Sequence, residues 1–265
     1  MSPIEPYKDH YDPTLLLPVP RAPHRRELGI EGALPFAGAD VWTAYELSWL
    51  DPKGKPRVAI ATFSVPVDSP NLIESKSFKL YLNSFSQTPV TSPEALLEIL
   101  LKDIGGACGA PVGVEILLPG DFPDEQIEEM DGELIDEIDV EIRDYRPNPE
   151  YLKAGQASVE ETLVSNLLKT NCPLTGQPDW ASIQIRYKGP RLDREGLLKY
   201  LVSFRQHGGF HEHCTESIFT DILKHCRPER LTVHARYTRR GGIDINPFRT
   251  NCGDKLPRNV RTARQ

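Results

Sequence analysis

Glu74-Ser75-Lys76-Ser77-Phe78-Lys79-Leu80-Tyr81-Leu82-Asn83-Ser84-Phe85 has a divergent second copy further along the chain, Asp193-Arg194-Glu195-Gly196-Leu197-Leu198-Lys199-Tyr200-Leu201-Val202-Ser203-Phe204. Both open on an acidic residue and share Tyr-Leu-x-Ser-Phe in register, Tyr81 with Tyr200 and Phe85 with Phe204. A compact β-branched or aromatic run precedes each, Val58 to Val67 in the first half and Ala181 to Tyr187 in the second. Similarity of this kind is the mark of a duplicated domain. The residues that carry chemistry are divided between the copies. Glu74-Ser75-Lys76 belongs to the first, and Cys172, Asp179 and Phe210-His211-Glu212 surround the second.

Working outward from the first copy, Val41 to Leu50 and Arg57 to Val67 read as strands, with the Pro and Gly of Asp51-Pro52-Lys53-Gly54-Lys55 as their hairpin loop. Helices are expected over 74–85 and 93–104, the second with Ser92 as N-cap, Pro93 in its first turn and a stop at Gly105-Gly106. Val112 to Leu118 and Leu134 to Asp144 read as a further strand pair around an acidic loop, so the first half is ββααββ. A linker falls near Arg146-Pro147-Asn148-Pro149. Beyond it, Ser158-x-x-Glu161 has the form of a capping box and predicts a helix from Ser158 to near Thr170. A strand over Trp180 to Tyr187, helices over 193–206 and 211–225, and a strand over Leu231 to Arg239 follow. Residues 1–38 hold Pro3, Pro6, Pro13, Pro18, Pro20, Pro23 and Pro35 with little periodicity, an extended arm with room for a short helix. The fold class is α+β: two tandem modules, 39–148 and 149–265, each a sheet with a helix pair on one face.

Composition narrows the function classes. The 265 residues are enough for a substantial core, and 39% hydrophobic with 26% charged residues is ordinary globular usage. No apolar run approaches the roughly 20 residues a membrane span requires, and no apolar signal core opens the chain. Five cysteines without framework spacing suit free thiols in a reducing cytoplasm. A net charge of −7 argues against a nucleic acid held by its phosphates.

Cys172 and Asp179 lie seven residues apart on one segment, so a loop could return the carboxylate over the sulfur. A solitary cytosolic cysteine is most often a small buried hydrophobe, and Asp179 could be a turn residue before a strand. Together they are the nucleophile and acid that a difficult addition requires. A helix end ahead of Cys172 would disfavour its thiolate, which leaves His211 or Asp179 to activate it. Glu74 and Glu212 each open a predicted helix; compensation of the helix dipole is the plain reading, and two-point acceptance from a guanine-like ring edge the functional one. His211, His213 and Cys214, with His225 and Cys226 nearby, invite a zinc reading, but no second compact Cys/His pair at structural-zinc spacing accompanies them. No Gly-x-Gly-x-x-Gly turn follows a predicted strand, so a dinucleotide is not held in the Rossmann manner. Lys76, Lys79 and Arg239-Arg240-Gly241-Gly242 could supply cations and close backbone amides to phosphates; a solvated strand end with a turn is the alternative.

These segments, with Trp42-Thr43-x-Tyr45-Glu46-Leu47-Ser48-Trp49-Leu50, Asn171-Cys172, Gln177-Pro178-Asp179-Trp180 and Arg239-Arg240-Gly241-Gly242-Ile243-Asp244-Ile245-Asn246-Pro247, resemble the NADPH-dependent 7-cyano-7-deazaguanine reductases. These are the nitrile reductases of queuosine biosynthesis, and the likeness is to their long, two-module subclass. The resemblance implies two tunnelling-fold modules and a homodimer acting without metal, membrane or direct nucleic-acid contact. It implies that Cys172 forms a covalent thioimide, that Asp179 delivers protons with His211 beside it, and that one nitrile consumes two NADPH. Ile73, Glu74, Ser75, Phe210, His211 and Glu212 would hold the substrate, and Ser75, Lys76, Arg240 and Gly241 the NADPH. Two rivals stand beside this reading: a zinc-dependent purine or pterin hydrolase of the same fold, and a non-catalytic purine-binding protein.

Overall fold

The Tyr-Leu-x-Ser-Phe repeat builds the same small structure twice. In the structure, a computed structural model that describes residues 7–265, the copies are helices α2 (Ser75–Asn83) and α4 (Arg194–Ser203). Each is followed by a longer helix, α3 (Pro93–Cys108) and α5 (His211–Cys226). Tyr81 and Tyr200 are fully buried, and a buried phenol needs an acceptor. Their hydroxyls donate to Asp103 Oδ2 on α3 at 2.8 Å and to Asp221 Oδ2 on α5 at 2.6 Å. Ser84 and Ser203 turn their hydroxyls back onto the Tyr81 and Tyr200 carbonyls, each at 2.6 Å, where the helices end. Phe85 and Phe204 stand edge-on to those tyrosine rings at 5.4 and 5.3 Å. Every member of the repeat is thus a packing or capping element.

The chain divides into two compact units. The first holds the described residues up to Arg25, Val41–Glu125 and Arg239–Asp244. Much of the proline-rich arm lies here: a 3-10 turn at Pro13–Leu15, β1 (Pro18–Pro20) and the start of α1 (Ala22–Glu27). Pro3 and Pro6 fall outside the described residues. The main sheet of this unit has the order β5-β3-β2, from β5 (Gly113–Leu117), β3 (Pro56–Pro66) and the part of β2 (Ala37–Leu50) beyond Asp40. A separate short pair joins β1 to β4 (Asn71–Ile73), which sets the start of α2. Trp42 and Phe63 press edge-on against Phe78 of α2, each at 5.0 Å. α3 does not stop at Gly105-Gly106 as expected. It runs on to Cys108 and ends where Gly109 takes φ +72° and donates back to the Gly105 carbonyl.

The second unit holds Arg26–Asp40, Gln126–Thr238 and Ile245–Gln265. Its strands follow the order β10-β9-β8-β7-β6: β6 (Glu133–Leu134), β7 (Ala154–Asn171), β8 (Pro178–Leu192), β9 (Arg230–Tyr237) and the part of β10 (Ile243–Thr250) beyond Asp244. The apolar side chains of β8 and β9, Ala181, Ile183 and Ile185 with Leu231, Val233 and Ala235, are fully buried. Arg249 is also fully buried, between Asp40 Oδ1 at 2.8 Å and Glu216 Oε1 of α5 at 2.9 Å.

Two expectations fail in this unit. The predicted helix over Ser158–Thr170 is instead most of β7, paired antiparallel with β8 from Ser158↔Pro190 to Asn171↔Pro178. Val159, Thr162, Leu163 and Val164 suit a pleated surface, and the long ladder to β8 outweighs both the capping box and the helical spacing of Val159, Leu163 and Leu167. Of the predicted strand over Leu134–Asp144 only Leu134 lies in a strand, as the second residue of β6, which runs parallel to β7 at Leu163 and Val164. The rest is irregular because Asp136, Asp139, Glu141 and Asp144 alternate with apolar residues but meet no further partner strand. Asp136 instead accepts from the Ser165 hydroxyl at 2.6 Å and the Asn166 amide at 2.9 Å.

Candidate functional site

The second unit gathers Cys172, Asp179 and His211 at one end of its sheet. The β7–β8 ladder closes at Asn171↔Pro178, one step beyond Thr170↔Asp179. The Cys172 amide then donates to the Gln177 carbonyl at 2.8 Å, and Gly176 donates back to the Cys172 carbonyl at 2.9 Å. Gly176 has φ +70°, which a residue with a side chain would adopt only under strain. Cys172 therefore follows a strand rather than a helix, and the expected helix C-terminus that would have opposed its thiolate does not exist.

A β-bulge decides which way these residues face. Ser165 pairs with Ile183 and Leu168 with Ala181, so Asn166 and Leu167 together oppose Ser182. The extra residue shifts the alternation of β7 by one, so Leu168 and Thr170 join Ala181 and Asp179 on the core face. The Asp136 contacts brace this bulge, and Arg264 donates to the Asn166 carbonyl at 2.8 Å.

The start of α5 is fastened to the same place. Asn171 donates to the His207 carbonyl at 2.8 Å and accepts from the Gly209 amide at 3.1 Å. His211 opens the helix with Nε2 3.8 Å from Asp179 Oδ1, and its ring meets the edge of Tyr237 at 4.1 Å between centroids. Cys172, Asp179 and His211 are 8%, 5% and 8% exposed, and Glu212 only 1%. A carboxylate in a first turn is stabilised by the electropositive helix start, and so is a thiolate beside it. Phe210, half-buried, packs edge-on to His213 at 5.4 Å. Burial, with Glu212 next, pushes the neighbouring Cys214 thiol up to about 12, so it is an inert neutral group. Among the described residues no three His, Cys, Asp or Glu side chains are arranged to hold a metal ion.

Lys169 and Thr170 carried no signal in the sequence, and Tyr237 carried one only in its strand parity. Lys169 Nζ donates to Asn171 Oδ1 at 2.5 Å and to the Arg205 carbonyl at 2.8 Å, tying the strand end to the segment that leads into α5. Burial and then Arg205 pull its pKa down, and Asp179 opposes them. Tyr237 shares the parity of Leu231, Val233 and Ala235, and that alternation is the one clue that it faces the core.

The remaining candidates lie in the first unit. Glu74 is the N-cap of α2: Oε1 accepts from the Lys76 amide at 2.8 Å and Oε2 from the Ser77 amide at 2.7 Å. Ile73 and Ser75 beside it are buried, and Lys76 is exposed. Arg240 and Ile243 close a two-residue turn in which Gly241 and Gly242 have φ +61° and +76°. A Cβ on Gly241 would stand 3.2 Å from Lys79 Cδ. Arg239 lies over the Tyr45 ring at 4.4 Å, and the Tyr45 hydroxyl donates to Asp244 at 2.5 Å. α2 and the glycine turn are thus brought together, as a phosphate site built from Lys76, Lys79, Arg240 and bare backbone requires. Glu46, beside Gly242, is an acid the sequence did not flag there. The residues present fit a dinucleotide phosphate on charge and on free backbone.

Comparison with known proteins gives the family. Residues 7–116 match a family model described as nitrile reductase, 7-cyano-7-deazaguanine-reductase N-term, and residues 178–255 match one described as QueF-like protein. A protein of Bordetella pertussis named NADPH-dependent 7-cyano-7-deazaguanine reductase is 58% identical over 260 residues, covering 98% of this chain and 95% of its own. Proteins of the same name from Burkholderia vietnamiensis and Burkholderia ambifaria are 57% and 58% identical over 261 residues, with the same coverage. With both halves matched and identity sustained from end to end, the chain belongs to the NADPH-dependent 7-cyano-7-deazaguanine reductase family, of mixed α+β fold.

Proposed function

We propose that this protein reduces the nitrile of 7-cyano-7-deazaguanine to the primary amine, consuming two NADPH per nitrile, on the route to queuosine in tRNA. The observation that carries the proposal is the Asp179–His211 pair at 3.8 Å, with Cys172 on the turn that closes the strand pair carrying Asp179. A nitrile carbon is a poor hydride acceptor. Cys172 Sγ adds to it, the thiol proton passes to nitrogen, and the triple bond becomes the C=N–H of a thioimide. Asp179, oriented by His211, holds and returns the protons needed at that nitrogen. NADPH, when bound, supplies one hydride to the thioimide and one to the imine left when the carbon–sulfur bond breaks. Ser75, Lys76, Arg240 and Gly241 would hold its phosphates. Glu212, buried at the start of α5, accepts from the donor edge of the base, with Phe210 and His211 around the ring. Ile73, Glu74 and Ser75 complete the substrate set, Glu74 through lone pairs beyond its capping bonds.

Five free thiols suit a cytoplasmic enzyme, and we assign it as a homodimer there. No helix among the described residues is long and apolar enough to cross a membrane. Intact-protein mass spectrometry after mixing with 7-cyano-7-deazaguanine, without NADPH, tests the reading. Wild type should gain the mass of one substrate and Cys172→Ala should not. No gain in either protein would refute it.

A further inference from the structure

The β2–β3 hairpin of the first unit repeats, bond for bond, the turn that carries Cys172 in the second. The Asp51 amide donates to the Lys55 carbonyl at 2.9 Å as Cys172 does to Gln177, and Gly54 donates back to Asp51 at 2.8 Å as Gly176 does to Cys172. Gly54 takes φ +77° where Gly176 takes +70°. Leu50 donates to the Thr88 carbonyl at 3.0 Å and accepts from the Val90 amide at 2.8 Å, the bonds that Asn171 makes with His207 and Gly209. Asp51 therefore occupies the place of Cys172, and Arg57, two residues beyond Lys55, that of Asp179. The following helix keeps the match, because Asp103 and Asp221 answer the repeated tyrosines. Counting back from them puts Pro93 where His211 stands and Glu94 where Glu212 stands.

In the first unit this place is a cavity of about 760 Å³, within the size range of small-molecule sites. Trp49, Val58 and Leu118 give it apolar lining, and Lys53, Lys55 and Arg57 give it positive charge. Trp49 is 2% exposed, yet its indole N–H donates to nothing among the described residues. A buried ring donor normally finds a partner. Val58 and Leu118 leave much of their apolar surface open. The acid in the cavity is already engaged: Asp51 Oδ1 accepts from the Lys53 and Lys55 amides at 2.9 and 3.0 Å, and Oδ2 from Arg57 at 3.1 Å. Glu94 is exposed and takes the Ser92 hydroxyl. The Lys53 and Lys55 ammonium groups meet no acid among the described residues.

We propose that this cavity is a second, non-catalytic ligand site, which takes a nucleoside monophosphate. Lys53 and Lys55 hold the phosphate, the Trp49 indole donates to the same ligand, and Val58 and Leu118 pack against its planar base. With Asp51 in the place of the cysteine there is no nucleophile, so the duplicated site binds without reacting. The apolar lining offers no partner to a particular base edge, so the phosphate and the stacking area set the affinity rather than the identity of the base. Binding here is independent of nitrile reduction and is measured without 7-cyano-7-deazaguanine or NADPH.

Isothermal titration calorimetry of the full chain with adenosine monophosphate, inorganic phosphate and adenosine tests this. A Lys53→Ala/Lys55→Ala double variant is run beside wild type. Both lysines are exposed and their side chains bond to nothing among the described residues, so the variant should keep the wild-type thermal midpoint. Wild type should bind adenosine monophosphate saturably, and the double variant should bind it at least about ten-fold more weakly. Phosphate and adenosine should each bind wild type at least about ten-fold more weakly than the nucleotide does. No saturable binding of the nucleotide would overturn the proposal. So would binding that the double variant leaves unchanged, because that places the nucleotide at Lys76, Lys79 and Arg240 instead. Phosphate or adenosine binding as tightly as the nucleotide would overturn it too, since the site would then be reading only one end of the ligand.

Discussion

Removing the repeated tyrosine hydroxyl should cost more in the second half of the chain than in the first. Asp221 takes its phenol from Tyr200 at 2.6 Å, whereas Asp103 takes one from Tyr81 at 2.8 Å and another from Tyr11 at 2.7 Å. A hydrogen bond to a charged group contributes about 1.5–3 kcal/mol. Tyr200→Phe strips Asp221 of its phenol and should cost about 2 kcal/mol, while Tyr81→Phe leaves Asp103 its second phenol and should cost about 1 kcal/mol. For a chain of this size that corresponds to midpoint losses of about 4–8 °C and about 2–4 °C. Burial raises the Asp221 carboxyl, and the Tyr200 bond opposes it. A carboxyl raised on folding binds its proton more tightly in the folded state, so its contribution is present at low pH and lost as pH rises through the folded value. Without Tyr200 the carboxyl rises further, and the gap to wild type should be wider at pH 7 than at pH 4. Urea unfolding of the two variants at both pH values measures this directly. In a Tyr11→Phe/Tyr81→Phe double variant the spared cost should reappear as a coupling of about 1 kcal/mol. A loss for Tyr81→Phe as large as for Tyr200→Phe, with no coupling to Tyr11, would refute the argument.

Two further outcomes are expected. His234, buried on β9 opposite the core face, is pulled down to about 3 by burial and then by Arg236. A histidine depressed on folding contributes stability above its unfolded value, and that stability is lost as pH falls. His234→Asn should therefore flatten the acid decline between pH 6.5 and 4 by about 3 kcal/mol in urea titrations, and an unaltered decline would remove His234 from the account. Gly241→Ala places a Cβ in the left-handed region, 3.2 Å from the Lys79 stem. The strain is about 1 kcal/mol, and displacement of Lys79 should raise the KM for NADPH about ten-fold. Steady-state kinetics with an unmoved KM would separate this turn from cofactor binding.

Local chemistry was legible in the chain wherever neighbours in sequence remain neighbours in space. The repeat announced two helix pairs, because Tyr, Ser and Phe at fixed offsets can only bury, cap and pack on a helix. Ser92-Pro93 marked the start of α3, and Pro52 with Gly54 the first hairpin. Cys172 and Asp179 could be placed on one short loop because only six residues separate them. The reading failed over Ser158–Thr170, where a capping-box pattern lies within a strand whose partner, β8, supplies the stabilising contacts.

By itself, then, the amino-acid sequence determined the duplicated α+β plan, the family and the residue types a nitrile addition needs. The tertiary structure decided their geometry. The bulge at Asn166–Leu167 turns Thr170 toward the core, and the Asn171 bonds to His207 and Gly209 bring His211 to Asp179. Pairing with Ala181 sets the Tyr237 ring against His211. No local pattern encodes these three arrangements, because each depends on strand register and on contacts between residues far apart in the chain, where a shift of one residue reverses every side chain.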